Sequence, residues 1–519
     1  MRQFLQHHGE QILGVLSGFD RLRLRGALRL FASEGGAVAW LQKAGIALQD
    51  FLTWAEGLTQ RLRRRTEADA KAAGRPVEYL DRFVDKEAHV AKIRAERGAA
   101  DNGLVTVLST LETCRSFELH RYRDSGRCEL RRKLRKCLHY YYYWVDGRFG
   151  LTQVRIETWF PFDVHVVLNG REWLACELDR VGVGYARRDN CFIEIADMTR
   201  AQKLLDRQPK LDWCGQLNRL LRRVHPLHTN FFQAAPVDYY WTSEQTEWAT
   251  DVLFRDPAVL SELYRTLVRR GIDTFGSSDV LRFLGHKVPA HGGVNGNYRG
   301  VVQSDLKRRV EGVRIKHRAG RNTVKMYNKQ PTVLRVETTI NDARDLKSYR
   351  RKQNDPQGKP AWRPLRKSVA DLARRAELSQ ASNGRYLEAL STIVSETPLS
   401  HLTDKLCRPV AIGKRRYRAL RPFDPEDATL LEIVSRGETL ITGFRNRDVR
   451  EALYGPNADP IDRRRQAARV TRKFAMLRAH GLIKKIPRTQ RYVLTSEGVT
   501  AITALLAARR ASLTRLTAA

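Results

Sequence analysis

A mixed α+β architecture of several domains is what the sequence predicts, and three observations predict it. Apolar residues recur at helical spacing before Leu104, and period-two alternation sets in from there. The chain has 519 residues, enough for three or four domains at roughly 100–200 residues each. Hydrophobic residues make up 42%, which supplies real cores and argues against disorder along the whole length.

The N-terminal region, 1–102, reads as helix. Trp40, Leu41, Ala44, Leu48, Phe51, Leu52 and Leu58 recur at roughly helical spacing, Gly74-Arg75-Pro76 breaks the run, and Asp85–Arg97 resumes it. A strand-rich α+β module, 103–196, follows. Ser116–Tyr122 alternates, Asp124-Ser125-Gly126 turns, and Cys128–Leu130 returns, which is a hairpin signal. Leu138–Val145, with Tyr140–Tyr143, has strand composition. Its four tyrosines either fill a core strand or offer a stacking surface to bases. Thr152–Phe160 and Val164–Leu168 are further strands, and Arg171–Val181 is a helix.

Residues 197–290 return to helix, with Met198–Leu205, Leu211–Val224, Ser243–Phe254 and Pro257–Arg270 as segments. A glycine-rich loop at 289–300 leads into a second strand-rich module, 291–346. Residues 347–421 read as a basic linker over Lys347–Arg366 and then helices within Ser368–Ser395.

Residues 422–519 are the most legible part. Helices are expected over Asp427–Ser435, Asn446–Leu453 and Arg463–His480, where Gly481 stops the third. Two strand-like runs follow, Ile483–Ile486 and Arg491–Leu494. Helix, helix, helix, hairpin is the order of a winged helix-turn-helix. In the third helix Ala467, Val470, Phe474 and Leu477 form a core stripe, while Arg465, Arg469 and Arg472 form a separate basic stripe. A basic stripe there suits a recognition helix in a major groove, with Lys473, Arg488 and Arg491 as further DNA contacts. The expected fold is thus a helical N-terminal region, antiparallel-sheet central modules and a C-terminal winged helix.

Charge narrows the function. Lys and Arg total 93 against 57 Asp and Glu, a net +36. Such a surplus works against compaction and calls for a polyanionic partner, nucleic acid above all. The longest uncharged apolar run, Ile12–Phe19, is far short of the ~18–20 residues of a membrane span. No secretory signal is read at the start, and the seven cysteines form no CxxC pair, so a reducing cytosol is expected. His225 and His228 lack a third ligand, and no zinc is expected.

The strands within Val313–Thr339 place Arg314, Lys316, Lys325, Tyr327, Lys329, Arg335 and Glu337 on one face, with Val324, Met326, Leu334 and Val336 opposite. That face can hold phosphates and stack a base. Glu337 either pairs with Arg335 or Lys325, or holds Mg²⁺ or Mn²⁺. Gln153–Thr158 echoes Val333–Thr338, which makes Glu157 a second metal-ligand candidate.

Val324-Lys325-Met326-Tyr327-Asn328-Lys329 followed by Leu334-Arg335-Val336-Glu337 resembles a motif of rolling-circle replication initiators, those of filamentous phages and small plasmids. The resemblance covers about 30 of the 519 residues. It implies a sheet-based nicking domain, a divalent metal on Glu337, and a tyrosine that attacks a DNA phosphodiester. Tyr386 is the best placed nucleophile and Tyr349 the second. The His-apolar-His metal motif of many relatives is missing from this chain. The chain also resembles uncharacterised bacterial proteins that carry a segment like Gly14–Arg21 near their start. The expected function is a DNA-binding protein of a mobile element or plasmid with metal-dependent tyrosine nicking activity. The alternative is a non-catalytic DNA- or RNA-binding regulator using the same faces.

Overall fold

The computed structural model describes residues 1–97, 102–288, 298, 300–309, 312–352, 355, 357–391, 399–413, 415–436, 439, 443–487 and 489–510. Most of the glycine-rich 289–300 loop and Arg488 lie outside the described residues. The chain is α+β. Its first strands are β1 (Ile12–Leu28), β2 (Glu78–Tyr79), β3 (Gly103–Arg121), β4 (Cys128–Asp146), β5 (Gly150–Glu157), β6 (Val164–Asn169), β7 (Tyr185–Arg188) and β8 (Cys191–Ile195). They continue with β9 (Tyr239–Phe254), β10 (Val302–Arg309), β11 (Gly312–Ala319), β12 (Asn322–Gln330) and β13 (Val333–Ile340). Eleven of these form one sheet in the order β10-β11-β12-β13-β9-β1-β6-β5-β4-β3-β2, while β7 and β8 pair separately. Two compact units result: an N-terminal unit of residues 15–251 and 339–379, and a C-terminal unit of residues 1–14, 252–338 and 380–519. Among the described residues no helix is long and apolar enough to cross a membrane.

In the N-terminal unit two expected helical stretches are strands. β1 is the first. Leu22 and Leu24 are buried while Arg21, Arg23 and Arg25 alternate with them, so the period is two and not 3.6. The second is β9, where Ser243–Phe254 reads as helix from its sequence. Trp248 through Phe254 are all buried, and an apolar run covered on both faces hides the strand period. The helices Phe51–Ala72 and Lys86–Arg97 form much as expected.

β3 and β4 make a hairpin with nineteen residues in each strand. Tyr140–Tyr143 are buried on both faces of β4, so they are core and not a stacking surface. Tyr140 and Tyr142 join the main core, and Tyr142 shares a 2.7 Å hydrogen bond with Thr66. Tyr141 and Tyr143 pack with Val90 and Leu108. The stretch expected as a linker is ordered in part: Lys347–Arg350 pairs with Ala361–Pro364 as a hairpin. Leu346 and Leu365 anchor its base among Ile340 and Ala343.

In the C-terminal unit β10, β11 and β12 pair antiparallel in sequence order, and β13 follows as the next strand of the sheet. The helix Pro257–Asp273 packs closely on β11. A Cβ on Gly271 would stand 2.7 Å from Ile315 Cδ1, which is why glycine sits there. Further along run the helices Pro425–Val434, Asn446–Tyr454 and Pro460–Ala479 and the hairpin Ile483–Lys485/Tyr492–Leu494. A helix Ser496–Arg510, unannounced by the sequence reading, closes this region. Leu430, Phe444, Val470, Phe474, Leu477 and Ile502 share its core.

Candidate functional site

The helix Pro460–Ala479 is built to show cations. Asp459 caps its first turn, accepting from the Ile461 and Asp462 amides, and Pro460 stands where its missing N–H costs nothing. Val470, Phe474 and Leu477 are buried, and Phe474 meets Tyr492 at 4.7 Å and Phe444 at 5.4 Å. With that face pinned, Arg463, Arg464, Arg465, Arg469 and Arg472 remain exposed. Arg465, Arg469 and Arg472 stand at steps of four and three, one stripe of the helix. The helix carries seven Lys and Arg and one acid, Asp462, which lies 3.8 Å from Arg465 in an exposed pair of little energetic weight.

Two of the expected contacts are turned elsewhere. Lys473 is 8% exposed and pairs with Glu426 at 2.9 Å, because it lies on the buried side of the helix with Val470, Phe474 and Leu477. Arg491 is half-buried and donates to the Gly443 carbonyl at 3.2 Å, tying the hairpin to the segment before Asn446. Arg488 is outside the described residues.

The sheet face in the same unit is more enclosed than its sequence suggests. Arg314 stands opposite Tyr327, and Lys316 opposite Lys325. Burial, with Lys325, Arg314 and Arg318 adding to it, holds the Lys316 pKa below its ordinary value. Arg314, Lys316, Lys325, Tyr327 and Lys329 are half-buried. Arg335 is fully buried, as is every residue of β13, so it offers no phosphate contact. Glu337 is buried too. Its Oε1 lies 2.6 Å from Lys325 Nζ, and its Oε2 accepts from the Tyr327 hydroxyl at 2.9 Å. Lys325 is one of the two partners weighed for it.

Tyr386 is not placed as a nucleophile. Its side chain is wholly buried in the C-terminal unit, its hydroxyl is 3.0 Å from His317 Nε2, and Phe275 and Phe283 close over the ring. Burial pushes its pKa well up and drives His317 down to about 4, so His317 is a neutral partner. An attacking phenolate needs access to the phosphodiester, and this pocket does not supply it. Tyr349 is the exposed one of the two candidates.

In the N-terminal unit Glu157 sits in a network of cations and imidazoles. Its Oε1 is 3.4 Å from Arg155 Nη2, 3.8 Å from His139 Nε2 and 3.9 Å from His165 Nε2, and His165 Nδ1 is 3.1 Å from Glu244. Burial opposes charge on His139, yet Cys137 and Glu157 outweigh it and raise its pKa to about 9. Asp163 pairs with Arg25 in the same region. A cavity of about 520 Å³ opens beside this network, lined by Arg23, Lys86, Tyr141, Arg155 and His165 with Asp85, Glu87 and Glu244. Glu157 and Glu337 are therefore each neutralised by a local cation. Asp20 on β1 and Glu247 on β9 bring two carboxylates together, with oxygens within 4.8 Å of each other, donors of the kind that Mg²⁺ or Mn²⁺ takes.

The sequence reading passed over three features. Asp20 and Glu247 come together only through strand pairing, so no spacing signals them. The run Arg131–Lys136 does signal itself, with five bases in six residues. Arg132, Lys133, Arg135 and Lys136 are exposed on β4, with Arg135 over the Trp159 ring at 3.9 Å. The Tyr349 and Trp362 pair was hidden in the presumed linker. No protein family, no curated protein and no solved structure matches the chain at a significant level.

Proposed function

We propose that the protein binds nucleic acid, DNA in preference, and that residues 422–519 form a winged helix-turn-helix whose third helix is Pro460–Ala479. One observation carries this reading: Arg465, Arg469 and Arg472 form an exposed stripe on a helix whose opposite face is pinned in the core, in a chain of net charge +36. The helix–helix–helix–hairpin order and the single antiparallel bridge between Phe444 and Tyr492, which ties the segment before Asn446 to the hairpin, support the same reading. The mobile-element or plasmid setting rests on the resemblance to replication initiators alone. The test is binding of a labelled duplex over a range of salt by the wild type and by the Arg465→Ala/Arg469→Ala/Arg472→Ala variant. A polyanion site of this kind loses affinity steeply with salt, and the variant loses part of that slope.

A second reading, metal-assisted cleavage of the bound strand, is favoured by the approach of Asp20 and Glu247. Under this reading Mn²⁺-dependent cleavage of single-stranded DNA disappears in Asp20→Asn and in Glu247→Gln while binding persists. Cleavage that survives both substitutions refutes it.

A further inference from the structure

The hairpin Lys347–Arg350/Ala361–Pro364 in the N-terminal unit sets Tyr349 directly opposite Trp362. The two rings meet with centroids 5.7 Å apart and planes at 56°. Both side chains lie largely in water, at 59% and 57% exposure, although large aromatics ordinarily dominate cores and interfaces. The residues around them are basic. Between Lys347 and Lys367 the chain has eight Lys and Arg and one acid, Asp355. Lys347, Arg351, Lys352 and Lys359 are exposed. Burial lowers the Arg350 pKa, and although Asp371 opposes this, Arg366, Arg374 and Arg363 add to it. The hairpin thus carries a surplus of positive charge beside two largely exposed aromatic side chains.

We propose that this hairpin is a contact for single-stranded nucleic acid, in which unpaired bases stack on Tyr349 and Trp362 while phosphates lie along Lys347 and Arg351. Aromatic rings bordered by cations are what a sequence-tolerant single-strand site requires, since every base has a π-face and every nucleotide a phosphate. A duplex hides those faces in its own stack, so the site selects unpaired strands. A protein partner fits less well, because interface cores are poor in lysine. The tilt of the rings makes them a bent platform and not a parallel slot, so each ring takes a separate base. The proposal rests on the nucleic-acid reading above and adds to it a second contact with a different substrate form.

The test uses the full chain with a labelled dT20 strand and a labelled 20-base-pair duplex. Stacking is worth ~1–3 kcal/mol per base, so losing two rings weakens dT20 binding about 30-fold or more. Tyr349→Ala/Trp362→Ala is expected to show that loss, Tyr349→Phe/Trp362→Phe to stay within about threefold of the wild type, and duplex binding to change little in either. Should the alanine variant not fold, the wild type still reports: dT20 quenches tryptophan emission, and Trp362→Phe removes most of that quenching. Unchanged dT20 affinity in the folded alanine variant, or undiminished quenching in Trp362→Phe, overturns the platform and points to a protein contact. The nucleic-acid reading survives that outcome. A wild type that binds neither dT20 nor duplex overturns both.

Discussion

Replacing Arg465, Arg469 and Arg472 together by alanine tests the C-terminal helix most directly. All three side chains are exposed, and the buried face of the helix is made by Val470, Phe474 and Leu477. Alanine is at least as good a helix former as arginine, so stability should move by no more than about 0.5 kcal/mol. Binding should move much more. Each neutralised phosphate contributes roughly 0.9 to the slope of log K against log salt, so three contacts contribute up to about 2.7. Between 50 and 200 mM salt that slope is worth a factor of about 40 in affinity. The assay is fluorescence anisotropy of a labelled duplex at four or five salt concentrations, with a thermal melt of each variant alongside. A charge-matched control removes Arg200, Lys203 and Arg207 from the helix Met198–Arg207, where they are exposed as well. If the control lowers the slope as much as the test variant, net charge alone drives binding. The assignment of this helix then fails. If neither variant changes the slope, the helix makes no phosphate contact.

The remaining predictions concern stability and chemistry. Asp427 accepts two hydrogen bonds from Arg418, at 2.7 and 2.6 Å, and one from the Arg421 amide at 2.9 Å. Burial works to raise its pKa, but these donors and their charge hold it below the ordinary value. Its stabilisation is therefore present above the unfolded pKa of about 3.9 and is lost as pH falls through the lower folded value. Asp427→Asn should cost roughly 2 kcal/mol at pH 7, below the full cost of breaking a buried pair because Arg418 is half in water, and should flatten the acid limb of the melting curve. His139 gives the opposite sign. Its folded pKa of about 9 lies above the unfolded value, so its contribution is complete below about 6.5 and is lost as pH rises through 9. His139→Gln should remove that alkaline loss in melts between pH 6 and 10. Tyr386→Phe deletes the hydroxyl that meets His317 and should lower stability by about 1 kcal/mol. It should leave nucleic-acid binding untouched, and no DNA should be found covalently attached to Tyr386 on a denaturing gel; a labelled Tyr386 peptide would refute this account of the pocket.

Local patterns were legible wherever one face of an element is wet. The helices and hairpin from Pro425 to Leu494 announced themselves because Asn446–Tyr454 and Pro460–Ala479 each keep an exposed basic side opposite buried apolar residues and run into Gly455 and Gly481. β11, β12 and β13 were legible for their Ala319-Gly320 and Gln330-Pro331 turns, while β10 (Val302–Arg309) was not read as a strand. Recognition failed where an element is covered on both sides. Unlike β1, which alternates Leu22 and Leu24 with Arg21, Arg23 and Arg25 and whose period of two was present in the sequence, β9 has Trp248–Phe254 buried on both faces, so the period that separates strand from helix is blurred. The same cause undid Arg335, whose strand position was foreseen but whose burial was not.

The sequence by itself determined the charge surplus, the α+β class, the basic stripe on Pro460–Ala479 and the candidacy of Glu337. These follow from composition and from periods of two and 3.6, which depend only on neighbours along the chain. Tertiary structure decided which candidates have access to a ligand. It enclosed Tyr386 beside His317, gave Glu337 to Lys325 and Tyr327, gave Lys473 to Glu426, and left Tyr349 and Trp362 in water. Burial and ion pairing are set by residues far apart in sequence, and no spacing along one strand or helix encodes what will pack against its other face.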